Sequence, residues 1–587
     1  MSKLSRREFV YMMAVLGAAP VFANSHTRMA NSTKMQDYYK LQNFGNVRLM
    51  HMTDSHAQLT PVFFREPSVN LGFHGNFGKP PHIVGDKLLD YYGIKGDKRL
   101  EYAYSCVNFE KHAQAMGRVG GFAQLKTVID FLRNNAGAEN SLLLDGGDTW
   151  QGSATALYTR GRDMVGAMNK LGVDIAVGHW EFTYKAEEIL ANIKELDAEF
   201  LAQNVFVKED ALMDGADAYD EDSGLAFKPY TIKKMGKARV AVIGQAFPYT
   251  TIANPQRFIP DWTFGIKQDE MQELVDTIKE EEKPDAIIVL SHNGFDVDQK
   301  MANVCTGIDF IMGGHTHDGV PEAVPVKNEL GTTYVCNAGS NGKFLNVLDL
   351  NIQNGKIKDF KFTLLPIFSN LIEEDKEMKE YIAGVRKPFL KDLNREIATT
   401  DETLFRRGNF NGSWDQIICD ALIDVKGADI SLSPGFRWGT TVMPGQPITF
   451  DDLMTQTAMT YPETYVRDIT GQGIKDILED VADNLFNIDP FYQQGGDMVR
   501  TGGISYRINP KGKMGERISN LQLTKNGKRL EANKSYKVAG WSTVGSKSPG
   551  EPVWETVETY LSNVKHISNL RVDTPDIIGI KGNPGII

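Results

Sequence analysis

Aspartate and histidine residues of this chain gather in five short clusters, each directly after a short apolar run. Neutral imidazoles and carboxylates are together the usual ligands of first-row divalent metal ions. One such cluster alone is more often an ordinary hydrogen-bonded turn, but five in succession favour a shared metal site. The clusters are Asp54-Ser55-His56, Asp145-Gly146-Gly147-Asp148, Gly178-His179-Trp180-Glu181, Ser291-His292 and Gly313-Gly314-His315-Thr316-His317.

The apolar runs before these clusters have the length and composition of buried strands, and helical periodicity separates several of them. This alternation predicts a layered α/β domain, with sheets flanked by helices. Ligands collect at the carboxyl ends of strands in α/β sheets, so we expect the five loops to meet at one crevice. The predicted strands lie at 47–50, 142–144, 175–177, 287–290 and 308–312, and the predicted helices at 120–134 and 267–281.

The first residues of the chain have the pattern of an export signal. Ser5-Arg6-Arg7-Glu8-Phe9 precedes an apolar run and Val21-Phe22-Ala23 supplies a cleavage pattern, which predicts a twin-arginine signal peptide at 1–23. A short membrane anchor is the alternative, but the run contains Gly17 and Pro20 and falls short of the about 20 residues that span a bilayer. We therefore expect a periplasmic protein without a membrane span after signal cleavage.

Length and composition indicate at least two folded domains. A chain of 587 residues exceeds the size at which one hydrophobic core keeps growing, and 41% hydrophobic residues are typical of globular proteins. A charged helical stretch at 372–397 is predicted to be a linker helix. We therefore predict the metal-binding domain at 24–371 and a C-terminal α+β domain at 398–587. Residues 63–110 lack clear periodicity and are expected to form a long insertion in the site wall.

The net charge and the cysteines argue against two classes of protein. A formal net charge of -11 argues against a binder of phosphate backbones, which would need a basic face, so nucleic acid is not an expected partner. Without a Cys-x-x-Cys pair or dense spacing, the cysteines do not indicate a disulfide framework. One or two disulfide bridges or four buried thiols remain open for Cys106, Cys305, Cys336 and Cys419.

In order and spacing, residues 54–317 resemble the calcineurin-like metallophosphoesterases of the 5′-nucleotidase family. The resemblance implies a two-metal hydrolase in which Asp148 bridges the two ions. It places one ion on Asp54, His56, Asp148 and His317, and the other on Asp148, His179, His292 and His315. The C-terminal half resembles that family's substrate domain at Gly408-Asn409, Ala428-Asp429-Ile430, Gly435-Phe436-Arg437, Ile448-Thr449 and Thr470-Gly471.

One loop departs from the nucleotidase pattern. The family's usual loop reads Gly-Asn-His-Glu-Phe-Asp, whereas this chain has His179 at the Asn, and Trp180 and Thr183 at the His and Asp that assist the leaving group. A phosphate monoester leaves as a poor alkoxide and benefits from such an acid, but a thiolate has a reference pKa of about 8.5 and can leave without one. In this loop, and over the whole mature chain, the sequence resembles the thiosulfohydrolases of the family.

That resemblance implies hydrolysis of a cysteine S-thiosulfonate on a SoxYZ-type sulfur carrier protein with a cysteine-bearing arm, releasing sulfate during thiosulfate oxidation. It also implies two Mn²⁺ ions, with Zn²⁺ as the alternative. We expect Trp180 to wall the sulfur arm, although an ordinary core aromatic is its alternative. Arg437 is the expected anion contact, or else a domain-interface ion pair, and Arg118 is a second candidate.

Two further functions stay open from the sequence. An exported 5′-nucleotidase or phosphodiesterase would use the same ligands on a phosphate ester despite the missing acid pair. A catalytically silent binding protein would keep the fold and dock a partner without metal chemistry.

Overall fold

The structure is a computed structural model that describes residues 38–587. The predicted signal peptide at 1–23 lies outside the described residues. Between residues 38 and 587, none of the helices combines the length and the apolar character that crossing a membrane requires.

Two six-stranded sheets form the centre of the N-terminal domain. Their orders are β14-β13-β1-β2-β3-β4 and β11-β12-β10-β9-β7-β6, and β5 pairs with β8 beside them. The five predicted strands are confirmed as β1, β2, β3, β9 and β10. The strands are β1 (Val47–Met52), β2 (Ser141–Asp145), β3 (Ile175–Ala176), β4 (Glu199–Phe200), β5 (Val205–Val207), β6 (Tyr230–Met235), β7 (Ala238–Gln245), β8 (Trp262–Phe264), β9 (Ala286–Ser291), β10 (Phe310–Gly313), β11 (Val324–Lys327), β12 (Thr332–Asn337), β13 (Phe344–Gln353) and β14 (Lys356–Pro366).

The two sheets pack face to face through apolar side chains. Leu49 and Leu144 of the first sheet belong to the same buried core as Leu290 of the second. Successive strand residues point to opposite faces, so Met50 lies on the outer face, in the core that includes the helix Phe122–Ala136. β2, β9 and β10 are buried along their whole length, so their sequences are largely continuous apolar runs rather than alternating ones.

Helices cover the outer faces of both sheets, as the sequence predicts for a layered α/β domain. The expected helices at 120–134 and 267–281 are present with shifted ends. The N-terminal domain has helices Gly85–Tyr92, Lys98–Tyr104, Phe109–Met116, Phe122–Ala136, Ala154–Thr159, Arg162–Leu171, Ala186–Glu195, Glu209–Met213, Thr250–Ala253, Gln268–Glu281 and Phe295–Val304.

Part of the insertion at 63–110 is helical, which the sequence pattern did not indicate. Its helices have eight residues or fewer, too few turns for a clear 3.6-residue period. A local cap starts one of them, since the Asp97 carboxylate accepts from the N–H groups of Arg99 and Leu100 at 3.1 and 3.2 Å.

The charged stretch between the domains forms two helices rather than one. They are Lys376–Arg386 and Leu390–Leu393, and Pro388 lies between them. Proline lacks an N–H and clashes with the preceding turn, which accounts for the break. The domain boundaries at 371 and 398 stay predictions.

The C-terminal domain is a mixture of small sheets and helices. Its sheets have the orders β18-β22-β16-β19, β17-β15-β23 and β21-β20-β24. The strands are β15 (Glu396–Thr400), β16 (Ile430–Ser433), β17 (Pro447–Thr449), β18 (Thr464–Thr470), β19 (Arg500–Gly502), β20 (Ile504–Ile508), β21 (Ile518–Leu523), β22 (Ser535–Trp541), β23 (His566–Ile567) and β24 (Asp576–Ile577). The helices are Ser413–Lys426, Phe450–Thr457, Gly471–Phe486 and Val553–Val564.

The insertion joins the two domains. Leu71 and Phe73 belong to the buried core of the C-terminal domain, and the N–H of Leu71 donates to Asn409 Oδ1 at 2.7 Å. The end of the chain pairs with the same segment, since the N–H of Asn70 donates to the Gly585 carbonyl at 2.7 Å. One edge of the metal-binding domain is therefore fixed against the C-terminal domain. Of the two alternatives for the cysteines, the structure has four free, buried thiols.

A buried ion pair ties β1 to β13. Arg48 donates to both oxygens of Asp349 at 2.6 and 2.9 Å, and both side chains are almost fully buried. We expect Asp349→Ala to lower the free energy of unfolding by about 3–5 kcal/mol, because it leaves an uncompensated buried charge. The double variant Arg48→Met with Asp349→Leu should regain most of this loss in urea denaturation. A double variant as unstable as the single one would contradict the explanation.

Candidate metal centre

The five clusters lie at one edge of the two stacked sheets. β1, β2 and β3 of the first sheet run parallel, as do β9 and β10 of the second, and each ends just before its cluster or on the first residue of it. The structure brings the seven predicted metal ligands into two groups that share Asp148. In each group the ligand atoms all lie within 4.8 Å of one another, and every residue is buried.

The first group contains Asp54, His56, Asp148 and His317. His317 Nε2 lies 3.2 Å from Asp54 Oδ1 and 3.0 Å from His56 Nε2. His56 Nε2 lies 3.5 Å from Asp148 Oδ2. Two neutral imidazole nitrogens and two carboxylates meeting in this way match the donor set of a divalent metal ion.

The second group contains Asp148, His179, His292 and His315. Asp148 Oδ1 lies 3.1 Å from His179 Nδ1, and Asp148 Oδ2 lies 3.1 Å from His292 Nε2. The same Oδ2 also faces His56 of the first group, so the Asp148 carboxylate stands between the two groups. This is the geometry of a bridging ligand.

Several of these side chains are held in an uncommon backbone conformation. Five of the seven have positive φ between 45° and 72°: Asp54, His56, Asp148, His315 and His317. Each such conformation costs a non-glycine residue of order 1 kcal/mol, and such strain concentrates at functional sites. The strained backbone lowers the stability of the fold, and it directs these side chains to one site.

Burial keeps most of the histidines neutral and therefore available as ligands. It lowers the pKa of His56 to about 4 and holds the pKa values of His315 and His317 well below the ordinary 6.5. His179 Nε2 and both ring nitrogens of His315 have no hydrogen-bond partner among residues 38–587. Buried polar atoms seldom lack a partner, so these nitrogens fit metal ions.

His292 differs from the other histidines. Burial lowers its pKa, but the charges of Asp148 and Asp54 outweigh burial and raise the pKa to about 10. The carboxylates at this site therefore attract a positive charge strongly. A bound metal cation can supply that charge in place of the proton on His292. The residues fit two divalent ions in donor type, burial and charge.

Backbone carbonyls orient the imidazole rings of two predicted ligands through Nδ1, the nitrogen that faces away from the site. His56 Nδ1 contacts the Gln151 carbonyl at 3.1 Å, and His292 Nδ1 contacts the Gly146 carbonyl at 2.5 Å. A carbonyl accepts from Nδ1–H, which leaves the Nε2 lone pair free for a metal ion.

Glu181 holds two of the ligand loops together, a role that the sequence did not reveal. Its buried carboxylate accepts from the N–H groups of Asp148 and His179 at one oxygen, at 3.1 and 2.8 Å. The other oxygen accepts from Thr149 and Trp150 at 2.6 and 3.2 Å. Glu181 thus fixes the loop after β2 to the loop after β3. The sequence feature that could have indicated this role was the position of Glu181 within the Gly-His-Trp-Glu cluster.

An aromatic cluster lies against the second group. Trp180 contacts the His179 ring, with ring centroids 4.9 Å apart, and meets Phe436 and Trp438 edge-on at 5.6 and 5.3 Å. The Phe247 ring stacks on the His315 ring, with ring centroids 4.2 Å apart. Trp180 therefore borders the metal centre and also belongs to the buried core of the C-terminal domain. Trp180 thus has surroundings of both expected kinds, the edge of the site and a buried aromatic core.

Thr183 contacts the C-terminal domain rather than the metal ligands. Its hydroxyl lies 2.7 Å from the Thr460 hydroxyl, which also donates to the Thr183 carbonyl at 2.9 Å. Trp180 and Thr183 lie on one 3₁₀ turn, Trp180–Thr183. The two positions that depart from the nucleotidase pattern therefore both face the second domain.

Of the two predicted arginines, only Arg437 reaches the centre. Arg437 donates to the carbonyl of His315, a predicted ligand, at 3.4 Å and to the Gly496 carbonyl at 2.8 Å. Arg118 instead donates to the Pro61 carbonyl and lies over the Phe63 ring. The sequence missed Arg407, which donates to the His317 carbonyl at 3.4 Å.

The C-terminal domain approaches the second group through a glycine. Gly495 has φ +78°, and a Cβ atom there would lie 1.8 Å from His315 Nε2. Only glycine permits this approach, so the loop closes directly over His315. Gly502 and Gly503, further along the chain, pack instead against Ser431, Cys419 and Ile423 inside the domain.

Comparison with known proteins agrees with this architecture. Residues 396–555 match the family model for the 5′-nucleotidase C-terminal domain. The chain is similar to the structure of the sulfate thiohydrolase SoxB of Thermus thermophilus in complex with glycerol. The two share 32% identity with a TM-score of 0.85, over 92% of this chain and 98% of that one.

Curated relatives are more distant. The trifunctional nucleotide phosphoesterase protein YfkN of Bacillus subtilis (strain 168) is 27% identical over 470 residues, which cover 74% of this chain and 31% of YfkN. The chain thus matches less than a third of that protein's length. Protein UshA of Yersinia enterocolitica serotype O:8 is 23% identical over 496 residues, covering 75% of this chain and 84% of UshA.

Stacked sheets with Asp and His ligands at one edge, under a second domain, define a two-domain hydrolase with a candidate two-metal centre. The chain belongs to the 5′-nucleotidase/metallophosphoesterase family, and its similarity to SoxB extends over nearly the whole chain.

Glu181→Gln should weaken metal binding by about 10–100-fold, because one pair of backbone N–H groups would then face an amide NH₂ instead of an acceptor. Competition with a fluorescent chelator measures the affinity. Glu187→Gln, at an exposed position nearby, is the matched control and should leave the affinity unchanged. Equal affinity in both variants would mean that Glu181 does not position the ligands.

Proposed function

We propose that this protein hydrolyses a cysteine S-thiosulfonate carried on a partner protein and releases sulfate during thiosulfate oxidation. Membership of the family makes the protein a hydrolase, and our proposal concerns which substrate it hydrolyses. Similarity to the sulfate thiohydrolase SoxB supports this substrate, because it extends over 92% of the chain.

The observation that carries the proposal is the side chain beside His179. In the nucleotidase pattern a histidine oriented by an aspartate stands there and assists the leaving group. Here an indole occupies the position, and indole has no proton that titrates near neutral pH. Thr183 is engaged with Thr460 and does not orient a donor toward the site. Such a site suits a leaving group that departs as an anion unaided, as a sulfur anion does.

The reaction divides between the ions and the protein. Two divalent cations, when bound, would supply an activated water and neutralise charge on the sulfonate oxygens. The water oxygen would bond to the terminal sulfonate sulfur while the sulfur–sulfur bond breaks. The electron pair of that bond would leave with the carrier-side sulfur as a persulfide anion, and the two protons of the water would pass to the solvent.

Side chains of the protein would position the two sides of the sulfur–sulfur bond, the carrier-side sulfur and the sulfonate group. Trp180, with Phe436 and Trp438 behind it, offers an apolar and polarisable face to the sulfur side and excludes water there. Arg437, beside His315, is the candidate contact for a sulfonate oxygen. It is also close to Asp497 at 3.6 Å, so part of its charge is already balanced.

For the metal ions we propose two Mn²⁺, with Zn²⁺ as the alternative. Zinc would outcompete manganese at a site with five histidines in free competition. Twin-arginine export carries a folded protein, so the ions can be loaded where metal supply is controlled. We accordingly propose periplasmic localisation through the pattern at Ser5-Arg6-Arg7. The partner would be a SoxYZ-type sulfur carrier with a cysteine-bearing arm.

An exported 5′-nucleotidase or phosphodiesterase is the second candidate. Curated relatives bear the names nucleotide phosphoesterase and 5′-nucleotidase, and the C-terminal match is to a 5′-nucleotidase domain. The ligand set alone does not separate a phosphate ester from a thiosulfonate. A catalytically silent binding protein is a third candidate, which metal analysis separates, since it predicts empty protein that still binds the carrier.

The direct experiment compares both substrates on one preparation of measured metal content. We expect sulfate release from a cysteine S-thiosulfonate peptide, and little phosphate release from AMP or from a cyclic nucleotide followed by phosphatase treatment. Ion chromatography follows sulfate and a molybdate assay follows phosphate. Metal-loaded protein that turns over AMP but not the thiosulfonate would replace the proposal with the second candidate.

Restoring the acid pair should shift the substrate preference. We expect Trp180→His with Thr183→Asp to raise the ratio of phosphoesterase to thiosulfonate turnover by about 10²-fold or more, the usual contribution of a positioned acid. Trp180→Phe keeps an aromatic face without a donor and is the matched control, so its ratio should stay close to that of the wild type. A ratio unchanged in the double variant would mean that this turn does not set substrate choice.

A further inference from the structure

A sixth loop reaches the edge of the sheets where the five ligand loops meet. β7 runs parallel to β9 with Gln245 opposite Ser291, so the residues after β7 emerge beside the loop that carries His292. These residues have neither the imidazole nor the carboxylate of the seven predicted ligands. Any part that the loop plays in the metal centre is therefore expected to come from packing. Its sequence is Ala246-Phe247-Pro248-Tyr249.

The Phe247 ring packs against the histidines of the second group. Its centroid lies 4.1 Å from that of the His179 ring and 4.2 Å from that of the His315 ring, with interplanar angles of 45° and 28°. The third histidine, His292, meets it edge-on at 6.4 Å. Phe247 is only 1% exposed. One buried aromatic side chain therefore adjoins all three histidines of the second group.

The histidines of the first group have different aromatic neighbours. His56 and His317 pair with each other at 4.8 Å between ring centroids, and His56 also lies 5.5 Å from Trp438. Within residues 38–587, Phe247 pairs with neither of these two rings. A change at Phe247 is therefore expected to act on the second group and to leave the first group in place.

Two rings of the second group lack the hydrogen bonds that orient other ligands. Backbone carbonyls hold Nδ1 of His56 and of His292. In the part of the chain that the structure describes, neither ring nitrogen of His315 has a hydrogen-bond partner, and Nε2 of His179 has none. Losing the group that orients a ligand commonly weakens metal binding by about 10–100-fold. For His179 and His315, a packed side chain is left to supply that orientation.

Phe247 is itself held by backbone hydrogen bonds. Its N–H donates to the Gly178 carbonyl at 3.2 Å, which ties it to the loop after β3. Asn204, which is fully buried, donates to the Ala246 carbonyl and accepts from the Ala246 N–H, both at 2.8 Å. The position of the Phe247 ring is therefore fixed by the protein and does not depend on a bound ion.

The ring contacts favour the metal-bound form of these histidines. An imidazole that binds a divalent cation becomes electron-poor, and the face of a phenyl ring carries partial negative charge. Because Phe247 stacks on His315, this attraction increases when His315 binds an ion. The contact thus contributes to metal affinity as well as to ring orientation.

We propose that Phe247 is a positioning residue for the second metal ion, which packs against His179 and His315 and holds their rings in the orientation that binds the ion. This inference goes beyond the proposed function, because it concerns the metal centre and holds for a thiosulfonate and for a phosphate ester alike. The two ions then depend on different parts of the chain, and the second ion alone depends on Phe247.

Metal titration of two variants tests this assignment. Phe247→Leu keeps an apolar side chain but removes the flat ring, and we expect the affinity for one Mn²⁺ ion to fall about tenfold while that for the other is unchanged. Phe247→Tyr keeps the ring and should bind both ions like the wild type. Metal-free protein is dialysed to equilibrium against a series of Mn²⁺ concentrations, and the bound metal is measured.

Electron paramagnetic resonance separates positioning from a general loss of packing. At a Mn²⁺ concentration that fills both sites of the wild type, we expect the signal of a coupled ion pair in the wild type and that of an isolated ion in Phe247→Leu. Phe310→Leu is the matched control, because Phe310 is equally buried and stacks on Tyr334 at 5.3 Å. It should lower the melting temperature and keep the signal of the pair.

The other outcomes would overturn the role of Phe247. These are equal weakening of both ions in Phe247→Leu, unchanged binding of both ions, and a loss of the second ion in Phe247→Tyr as large as in Phe247→Leu. Wild-type protein that retains fewer than two ions, with Mn²⁺ and with Zn²⁺ alike, would overturn the two-metal centre and this inference with it. None of these measurements depends on turnover of a thiosulfonate, so they are independent of the proposed substrate.

Discussion

The site depends on one constraint: the Asp148 carboxylate must lie between histidines that come from two different sheets. His179 follows the first sheet and His292 follows the second, and each lies 3.1 Å from an oxygen of Asp148. The face-to-face packing of the sheets sets this convergence. Buried carboxylates and unpartnered imidazole nitrogens in so small a volume are costly unless cations compensate them. The apolar core between the sheets offsets that cost.

The ligand loops rely on backbone donors as much as on side chains. Glu181 collects four N–H groups from two loops, and the left-handed backbone at Asp148 and Asp54 turns their side chains inward. Neither feature contacts a substrate. Both make the ligand positions independent of what occupies the site, which is how a preorganised centre avoids reorganising during reaction.

The second domain completes the site instead of merely covering it. Phe436 and Trp438 form the surroundings of Trp180, and Gly495 approaches His315 where no other residue could. The insertion packs Leu71 and Phe73 into the core of the C-terminal domain, so the wall of the site is continuous with that core. Substrate choice can thus vary at the domain interface while the ligands stay constant.

The sequence by itself determined the layered α/β class and the five strands, because strand burial leaves a local pattern. Its five Asp and His clusters indicated a metal site, and the resemblance to the metallophosphoesterases supplied the seven predicted ligands. It also singled out Trp180 and Thr183 from one loop. Only the tertiary structure decided that the loops come from two stacked sheets and that Glu181 joins two of them. The same holds for Arg407, which reaches the centre where Arg118 does not, and for the pocket beside His315 that residues of both domains line. Those relations join residues from separate elements of the chain through packing and backbone hydrogen bonds, which leave no periodicity in the sequence.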